Sequence, residues 1–214
     1  MCDDLVERTA SFPYMIWDMD GTILDSMRYW DTLGEDYLIR KGIKPPAGIN
    51  RTLEVMTLEE SAAYLRREMN IGLSEKEIIS EILALIDTEY RNEIPAKEGA
   101  VKLIRAAREH GSRMCVLTSS DRALADAALR RVGLRDCFEA ILTSDDFGMD
   151  KRSAAIYQRA MEEMGYVPEQ TLICEDALFA VRSAAESGAK VLAFRDSSNA
   201  GDWEQIRKLA DFAE

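Results

Sequence analysis

The sequence of 214 residues contains a single histidine, His110. With so little histidine, we expect no metal site built from several imidazoles and no hydrolytic triad of the Ser-His-Asp or Cys-His type. The chemistry of such a protein would have to use carboxylates, lysine, hydroxyl groups or a metal ion.

Basic residues are also scarce, because 27 lysines and arginines stand against 39 aspartates and glutamates, for a net charge of −12. Nucleic acids and anionic membranes attract basic patches, so we expect neither as a partner. A small phosphorylated molecule remains compatible with this balance, since a local positive site is enough to bind it.

Long apolar runs are missing as well, and no stretch approaches the roughly 20 residues that span a bilayer. Residues 1–10 have neither the basic start nor the apolar run of a signal peptide. The four cysteines are scattered and form no Cys-x-x-Cys pair. Together these features predict a soluble protein of the reducing cytoplasm.

Short apolar runs alternate with helical patterns along much of the chain. Five runs predict β-strands: Tyr14–Trp17, Met114–Leu117, Ala140–Thr143, Thr171–Cys174 and Lys190–Phe194. Their nearly continuous apolar character is typical of a parallel sheet covered on both faces. Helical patterns separate the later runs, so the sequence predicts an α/β fold with an open, doubly wound, Rossmann-like sheet.

Residues 25–96 have a different pattern of apolar residues, without any run that predicts a β-strand. Their apolar residues recur at helical spacing, as in Ile78, Ile82 and Leu85. We therefore predict an inserted bundle of three or four helices. The predicted domains are an α/β core of residues 1–24 and 97–214 and a helical insert of residues 25–96.

Carboxylates follow two of the predicted strands. Asp18 and Asp20 come after the first strand, and Glu175 and Asp176 come at the end of the fourth. Ligands of open α/β sheets bind beyond the carboxyl ends of the strands, and carboxylates held close together repel unless a cation lies between them. An all-oxygen cluster of this kind suits Mg²⁺.

Hydroxyl groups and a lysine accompany these carboxylates. Thr118 and Ser119 end the second strand, and Lys151 follows the third. Together with nearby backbone N–H groups they could hold a phosphoryl group. Each feature alone is equally typical of a helix cap or a surface lysine. It is their occurrence in order, at successive strand ends, that indicates a phosphate site.

Four segments resemble the motifs of haloacid dehalogenase-like hydrolases, and the resemblance covers nearly the whole chain. Trp17–Ser26 resembles the first motif, Leu117–Ser120 the second, Lys151 the lysine of the third, and Cys174–Ala177 the fourth. The helical insert is similar to the small cap domain of the β-phosphoglucomutase and phosphoglycolate phosphatase branch.

The resemblance implies roles for the two aspartates of the first motif. Asp18 would be the nucleophile that becomes an aspartyl phosphate, and Asp20 would be the general acid and base. The backbone carbonyl of Asp20 would also ligate Mg²⁺.

The resemblance assigns the remaining residues to the metal ion and the phosphoryl group. Glu175 and Asp176 would complete the Mg²⁺ site, either directly or through a water molecule. Thr118, Ser119 and Lys151 would bind the phosphoryl group of a small phosphorylated substrate. The implied enzyme is a phosphoric monoester hydrolase, expected as a monomer or weak homodimer.

Four functions fit this scaffold: a phosphatase, a phosphomutase, a haloacid dehalogenase and a phosphorylatable scaffold protein. Asp20, Glu175 and Asp176 argue against a dehalogenase, which needs neither a metal ion nor a leaving-group acid. Leu58 stands where mutases tend to carry an arginine, which favours hydrolysis. The lysine motif departs from the usual Gly-Lys-Pro and reads Asp150-Lys151-Arg152. Candidate residues for substrate selection are Arg28, Arg51, Met56 and Met149.

Overall fold

A computed structural model describes residues 1–53 and 56–214 of the chain. Two residues of the predicted insert, at positions 54 and 55, therefore lie outside the described residues. The chain divides into two compact units, one formed by Met1–Ser26 and Ile94–Glu214 and the other by Met27–Glu93. In the described part of the chain, no helix is long and apolar enough to cross a membrane.

The first unit contains a parallel β-sheet. Its strands are β1 (Tyr14–Trp17), β2 (Arg113–Thr118), β3 (Ala140–Thr143), β4 (Thr171–Glu175), β5 (Lys190–Ala193) and β6 (Phe212–Ala213). The strand order is β3-β2-β1-β4-β5-β6, and every neighbouring pair is parallel. The predicted Rossmann-like sheet is thereby confirmed.

The helices are numbered in chain order through both units. They are α1 (Asp3–Ala10), α2 (Met27–Arg40), α3 (Ile49–Leu53), α4 (Leu58–Glu68), α5 (Glu75–Asn92), α6 (Glu98–Glu109), α7 (Arg122–Arg131), α8 (Ser144–Phe147), α9 (Ala154–Met164), α10 (Leu178–Glu186) and α11 (Trp203–Leu209). Short 3-10 helices occupy Arg135–Cys137 and Pro168–Gln170.

The core of the first unit lies on both faces of the sheet. Met15, Ile16 and Trp17 of β1 are all fully buried. Successive side chains of a strand point to opposite faces, so burial at three consecutive positions requires cover on each face. This explains why the strands appear in the sequence as unbroken apolar runs.

Among the elements of the first unit that were not predicted from the sequence are α1 and β6. Helix α1 is only two turns long, and its buried residues Leu5, Val6 and Ala10 are too few to give a clear period. Strand β6 pairs with β5 over two residues, which is shorter than any run that a sequence pattern can identify.

The register of the central strands brings the ends of β1, β2 and β4 to one edge. Trp17 of β1 lies opposite Val116 of β2 and Cys174 of β4. The pairing continues one residue further, because the backbone N–H of Asp18 donates to the carbonyl of Cys174 at 2.9 Å. Asp18 and the end of β4 are consequently neighbours at the carboxyl edge of the sheet.

The second unit is helical and comprises α2 to α5. Its buried side chains recur at helical spacing in α5, where Ile78, Ile82, Ile86 and Tyr90 form the inner face. Capping boxes fix the starts of α4 and α5, since the Thr57 and Ser74 hydroxyl groups accept from the backbone N–H groups three residues ahead. The unit also contains a hydrogen bond of 3.0 Å from Trp30 Nε1 to the Tyr90 hydroxyl.

Candidate active site

Asp18 is a buried carboxylate whose two oxygens have different surroundings. It follows the last residue of β1 and is almost completely shielded from solvent. Oδ1 accepts a hydrogen bond of 2.5 Å from Lys151 Nζ. Oδ2 is also buried, and no described residue donates a hydrogen bond to it. A buried carboxylate oxygen without a donor is costly, so this atom indicates a place where a further group binds.

Lys151 lies in the turn before α9 and is buried between two carboxylates. Its ammonium group donates to Asp18 Oδ1 at 2.5 Å and to Glu175 Oε1 at 2.8 Å. Burial alone lowers the pKa of Lys151, but the charges of Asp18 and Glu175 outweigh burial and raise the pKa above its ordinary value. The ammonium group therefore remains charged throughout the physiological pH range.

Glu175 and Asp176 are both buried at the end of β4. Burial, with a further contribution from the Asp18 charge, raises the pKa of Glu175 to about 7 even though Lys151 opposes this change. Burial also raises the pKa of Asp176 well above its usual range, and the neighbouring charges of Asp18 and Glu175 act in the same direction. The site thus holds more negative charge than Lys151 compensates.

Asp18, Glu175 and Asp176 form an acidic trio that fits a divalent cation. Each residue offers an oxygen, and these atoms lie within 4.8 Å of one another. Hard cations such as Mg²⁺ prefer carboxylate oxygens and keep several waters, so three protein ligands are sufficient. Burial and the neighbouring carboxylates together raise the pKa values of Glu175 and Asp176, and a cation at the trio would oppose both shifts.

The side chain of Asp20 is not a member of the acidic trio. Its Oδ1 accepts from the Ser26 hydroxyl and its Oδ2 from the Ser120 hydroxyl, each at 2.7 Å. Strand β1 ends at Trp17, and the chain then turns at Gly21, which has a φ of 82°. The two aspartates consequently contact different partners.

The hydroxyl residues at the end of β2 differ in burial. Thr118 is buried, and its Oγ1 accepts from the backbone N–H of Ser120 at 3.0 Å. Ser119 is exposed, and its hydroxyl lies 3.1 Å from that of Ser144. Asp121 caps two of the first N–H groups of α7, so these donors are already occupied. The hydroxyl groups are therefore the better candidates for contacts with a phosphoryl group.

Two further residues support the site and were missed in the sequence. The Tyr157 hydroxyl donates to Glu175 Oε1 at 2.8 Å. The Asn199 amide donates to the backbone carbonyls of Asp176 and Phe194, each at 2.9 Å. Tyr157 lies on the core face of a predicted helix and Asn199 in a loop. Neither position carries a sequence signal that separates it from ordinary core or loop residues.

The four residues suggested for substrate selection are divided between the two units. Arg28, Arg51 and Met56 belong to the helical unit, where the Arg28 guanidinium stacks 5.0 Å from the Tyr29 ring. Met149 is partly buried and packs against the core of the sheet unit.

Comparison with known proteins identifies relatives that span most of the chain. The family model of haloacid dehalogenase-like hydrolases matches residues 15–194. Fructose-1-phosphate phosphatase of Escherichia coli K12 is 28% identical over 181 residues, covering 81% of this chain and 92% of that protein. Hexitol phosphatase A of Escherichia coli K12 is 26% identical over 180 residues, covering 83% and 81%.

The fold is shared with solved structures. A candidate β-phosphoglucomutase from Thermotoga maritima superposes with a TM-score of 0.82 at 19% identity, covering 94% of this chain and 93% of that chain. At such low identity the similarity concerns the fold alone. The family resemblance seen in the four motifs is confirmed by the family model.

The raised pKa of Glu175 predicts how the stability of the metal-free protein depends on pH. The folded state holds the Glu175 proton up to about pH 7, whereas the unfolded chain releases it near 4.5. The folded state therefore binds more protons between these values, and the free energy of unfolding should fall as the pH rises. Between these two pH values, the free energy of unfolding of the parent protein should fall by roughly 1–3 kcal/mol more than that of Glu175→Gln.

Denaturant unfolding of both proteins from pH 4.5 to 8 in the presence of a chelator measures this difference. Saturating Mg²⁺ should oppose this fall in the parent protein, because the ion replaces the proton as the neutralising charge. A difference between the two proteins that stays constant with pH would contradict the raised pKa of Glu175.

Proposed function

Because the chain belongs to the haloacid dehalogenase-like hydrolases, we propose that it is a Mg²⁺-dependent phosphatase acting through an aspartyl phosphate. The observation that carries this proposal is the buried acidic trio, in which Asp18 Oδ2 has no hydrogen-bond donor among the described residues. A metal-assisted nucleophile needs such an oxygen, because a carboxylate engaged on both sides by donors is a poor attacking group.

We propose a phosphorylated sugar or sugar alcohol as the substrate class. The names of two relatives support this proposal, since one acts on fructose 1-phosphate and the other on hexitol phosphates. Both relatives align over about four fifths of this chain. The helical unit of residues 27–93 is proposed as the cap domain that distinguishes one phosphorylated substrate from another.

In the proposed first step, Asp18 Oδ2 attacks the phosphorus atom and the bond from phosphorus to the sugar oxygen breaks. Asp20 donates its proton to the leaving sugar oxygen. In the second step, Asp20 takes a proton from a water molecule that attacks the aspartyl phosphate. The bond between Asp18 and phosphorus then breaks, which releases the Asp18 carboxylate and inorganic phosphate. Asp20 thereby regains the proton that it donated in the first step.

The contacts of Asp20 are compatible with this exchange of a proton. Two of its partners, Ser26 and Ser120, are hydroxyl groups. A hydroxyl can donate to an ionised carboxylate and can rotate to accept from a protonated one. Asp20 can therefore be held in position in both of the forms that the proposed cycle requires.

The proposed charge compensation comes from the acidic trio and from Lys151. A bound Mg²⁺ would supply Lewis-acid stabilisation of the charge that develops on the phosphoryl oxygens. Lys151 uses two of its three N–H donors on Asp18 and Glu175, which leaves one donor for a phosphoryl oxygen. Thr118 and Ser119 are proposed to add hydroxyl contacts to the same group.

A phosphomutase remains the alternative on this scaffold. The structural likeness to a candidate β-phosphoglucomutase does not favour it, because the identity of 19% supports a common fold only. Leu58 stands where mutases tend to have an arginine for a second phosphate, and this favours hydrolysis.

Removal of divalent cations should abolish phosphatase activity, because the acidic trio would retain uncompensated charge that repels a phosphate. Turnover of an aryl phosphate and of fructose 1-phosphate should fall to background in a chelator and return when excess Mg²⁺ is added. The control is the same sample carrying chelator that is already saturated with Mg²⁺. Undiminished turnover in free chelator would refute the proposed metal dependence.

Substitution of the two aspartates should separate their roles. Asp18→Asn should abolish turnover of every substrate, because an amide is a very poor nucleophile. Asp20→Asn should slow turnover by about 10²–10⁴-fold. The loss should be larger for a sugar phosphate than for an aryl phosphate, whose leaving group scarcely needs a proton.

Steady-state kinetics of both variants on both substrates measures this pattern, with the exposed Asp136→Asn as the matched control. The assignment would be wrong if Asp18→Asn retained activity. It would also be wrong if Asp20→Asn turned over both substrates at the parent rate.

A further inference from the structure

Tyr157 is a buried titratable residue to which the proposed mechanism gives no role. It lies on α9 and is fully buried, and its ring belongs to the core cluster of the sheet unit. Its hydroxyl group emerges from this apolar cluster and donates to Glu175 Oε1 at 2.8 Å. A phenylalanine would fill the same space without the cost of burying a hydroxyl group, so packing does not account for the oxygen atom.

The two oxygens of the Glu175 carboxylate differ in the hydrogen bonds that they accept. Oε1 accepts from the Tyr157 hydroxyl and from Lys151 Nζ, each at 2.8 Å. A carboxylate oxygen has two lone pairs, so these two donors saturate Oε1. In the described part of the chain, the hydrogen bonds to this carboxylate all end on Oε1, which leaves Oε2 available to a cation.

Tyr157 and Lys151 differ in how firmly they hold Glu175. Lys151 has a flexible stem and divides its ammonium group between Asp18 and Glu175. Tyr157 has a rigid ring that is packed in the core, so its hydroxyl oxygen has one position. Burial and the Glu175 charge keep the pKa of Tyr157 well above its ordinary value, so the hydroxyl always carries its proton.

We propose that Tyr157 is a positioning residue that fixes the rotation of the Glu175 carboxylate and so presents Oε2 to the divalent cation. The inference rests on the proposed function, because it assumes that the acidic trio binds Mg²⁺. Partners of this kind orient a metal ligand, and their removal typically costs about 10–100-fold in metal affinity or activity.

The test is Tyr157→Phe, which removes one oxygen atom and keeps the ring. Mn²⁺ alone serves as the probe, and the free ion is quantified by electron paramagnetic resonance during titration. The dissociation constant should rise about 10-fold relative to the parent. The Mg²⁺ concentration that gives half-maximal turnover should rise in parallel.

Tyr166→Phe is the matched control, because Tyr166 is a second buried tyrosine of the same unit. Its ring stacks on Tyr14 at 4.8 Å, and its buried hydroxyl has no hydrogen-bond partner among the described residues, so it does not hold a metal ligand. This variant should bind Mn²⁺ with the parent affinity. An equal loss of affinity in both variants would overturn the proposal, since it would reflect the general cost of removing a buried hydroxyl.

The experiment distinguishes a failure of the role of Tyr157 from a failure of the proposed function. If the parent protein binds no Mn²⁺ and turns over phosphate esters without a metal ion, the proposed function fails. If the parent binds Mn²⁺ and Tyr157→Phe binds it within twofold as tightly, only the role of Tyr157 fails. A raised substrate KM with unchanged Mn²⁺ affinity would also overturn the proposal, because it would connect Tyr157 to phosphate binding through Lys151.

Discussion

The ion pairs of Lys151 with Asp18 and Glu175 are the contacts on which the rest of the site depends. Three buried carboxylates would repel one another without a positive charge among them. One ammonium group is enough to hold Asp18 and Glu175 together but not to neutralise Asp176 as well. The site is therefore arranged around a deficit of positive charge, which favours the binding of a divalent cation.

The sheet produces this arrangement through its register. Asp18 continues the pairing of β1 with β4, so the first carboxylate lies beside the pair that ends β4. Tyr157 and Asn199 hold that pair from the core side and from the loop after β5. The backbone thus determines which carboxylates are neighbours. Hydrogen bonds from buried side chains then determine how these groups are oriented.

The sequence was sufficient to predict the parallel sheet, because strands buried on both faces appear as apolar runs. It also placed Asp18, Lys151, Glu175 and Asp176 at one edge, since strand ends of a parallel sheet converge. It was not sufficient for contacts that depend on side-chain direction. The partners of Asp20 arise from a turn after β1, and the bond from Tyr157 to Glu175 joins residues 18 positions apart on different elements.

We propose that Asp18 accepts the phosphoryl group through the oxygen that Lys151 leaves without a donor. Rapid acid quenching during turnover of a sugar phosphate, followed by proteolysis and mass spectrometry, tests this proposal. We expect a phosphorylated peptide in which the modification lies on Asp18 and is removed by hydroxylamine. A phosphoryl group on any other residue, or steady turnover with no phosphorylated peptide, would contradict it.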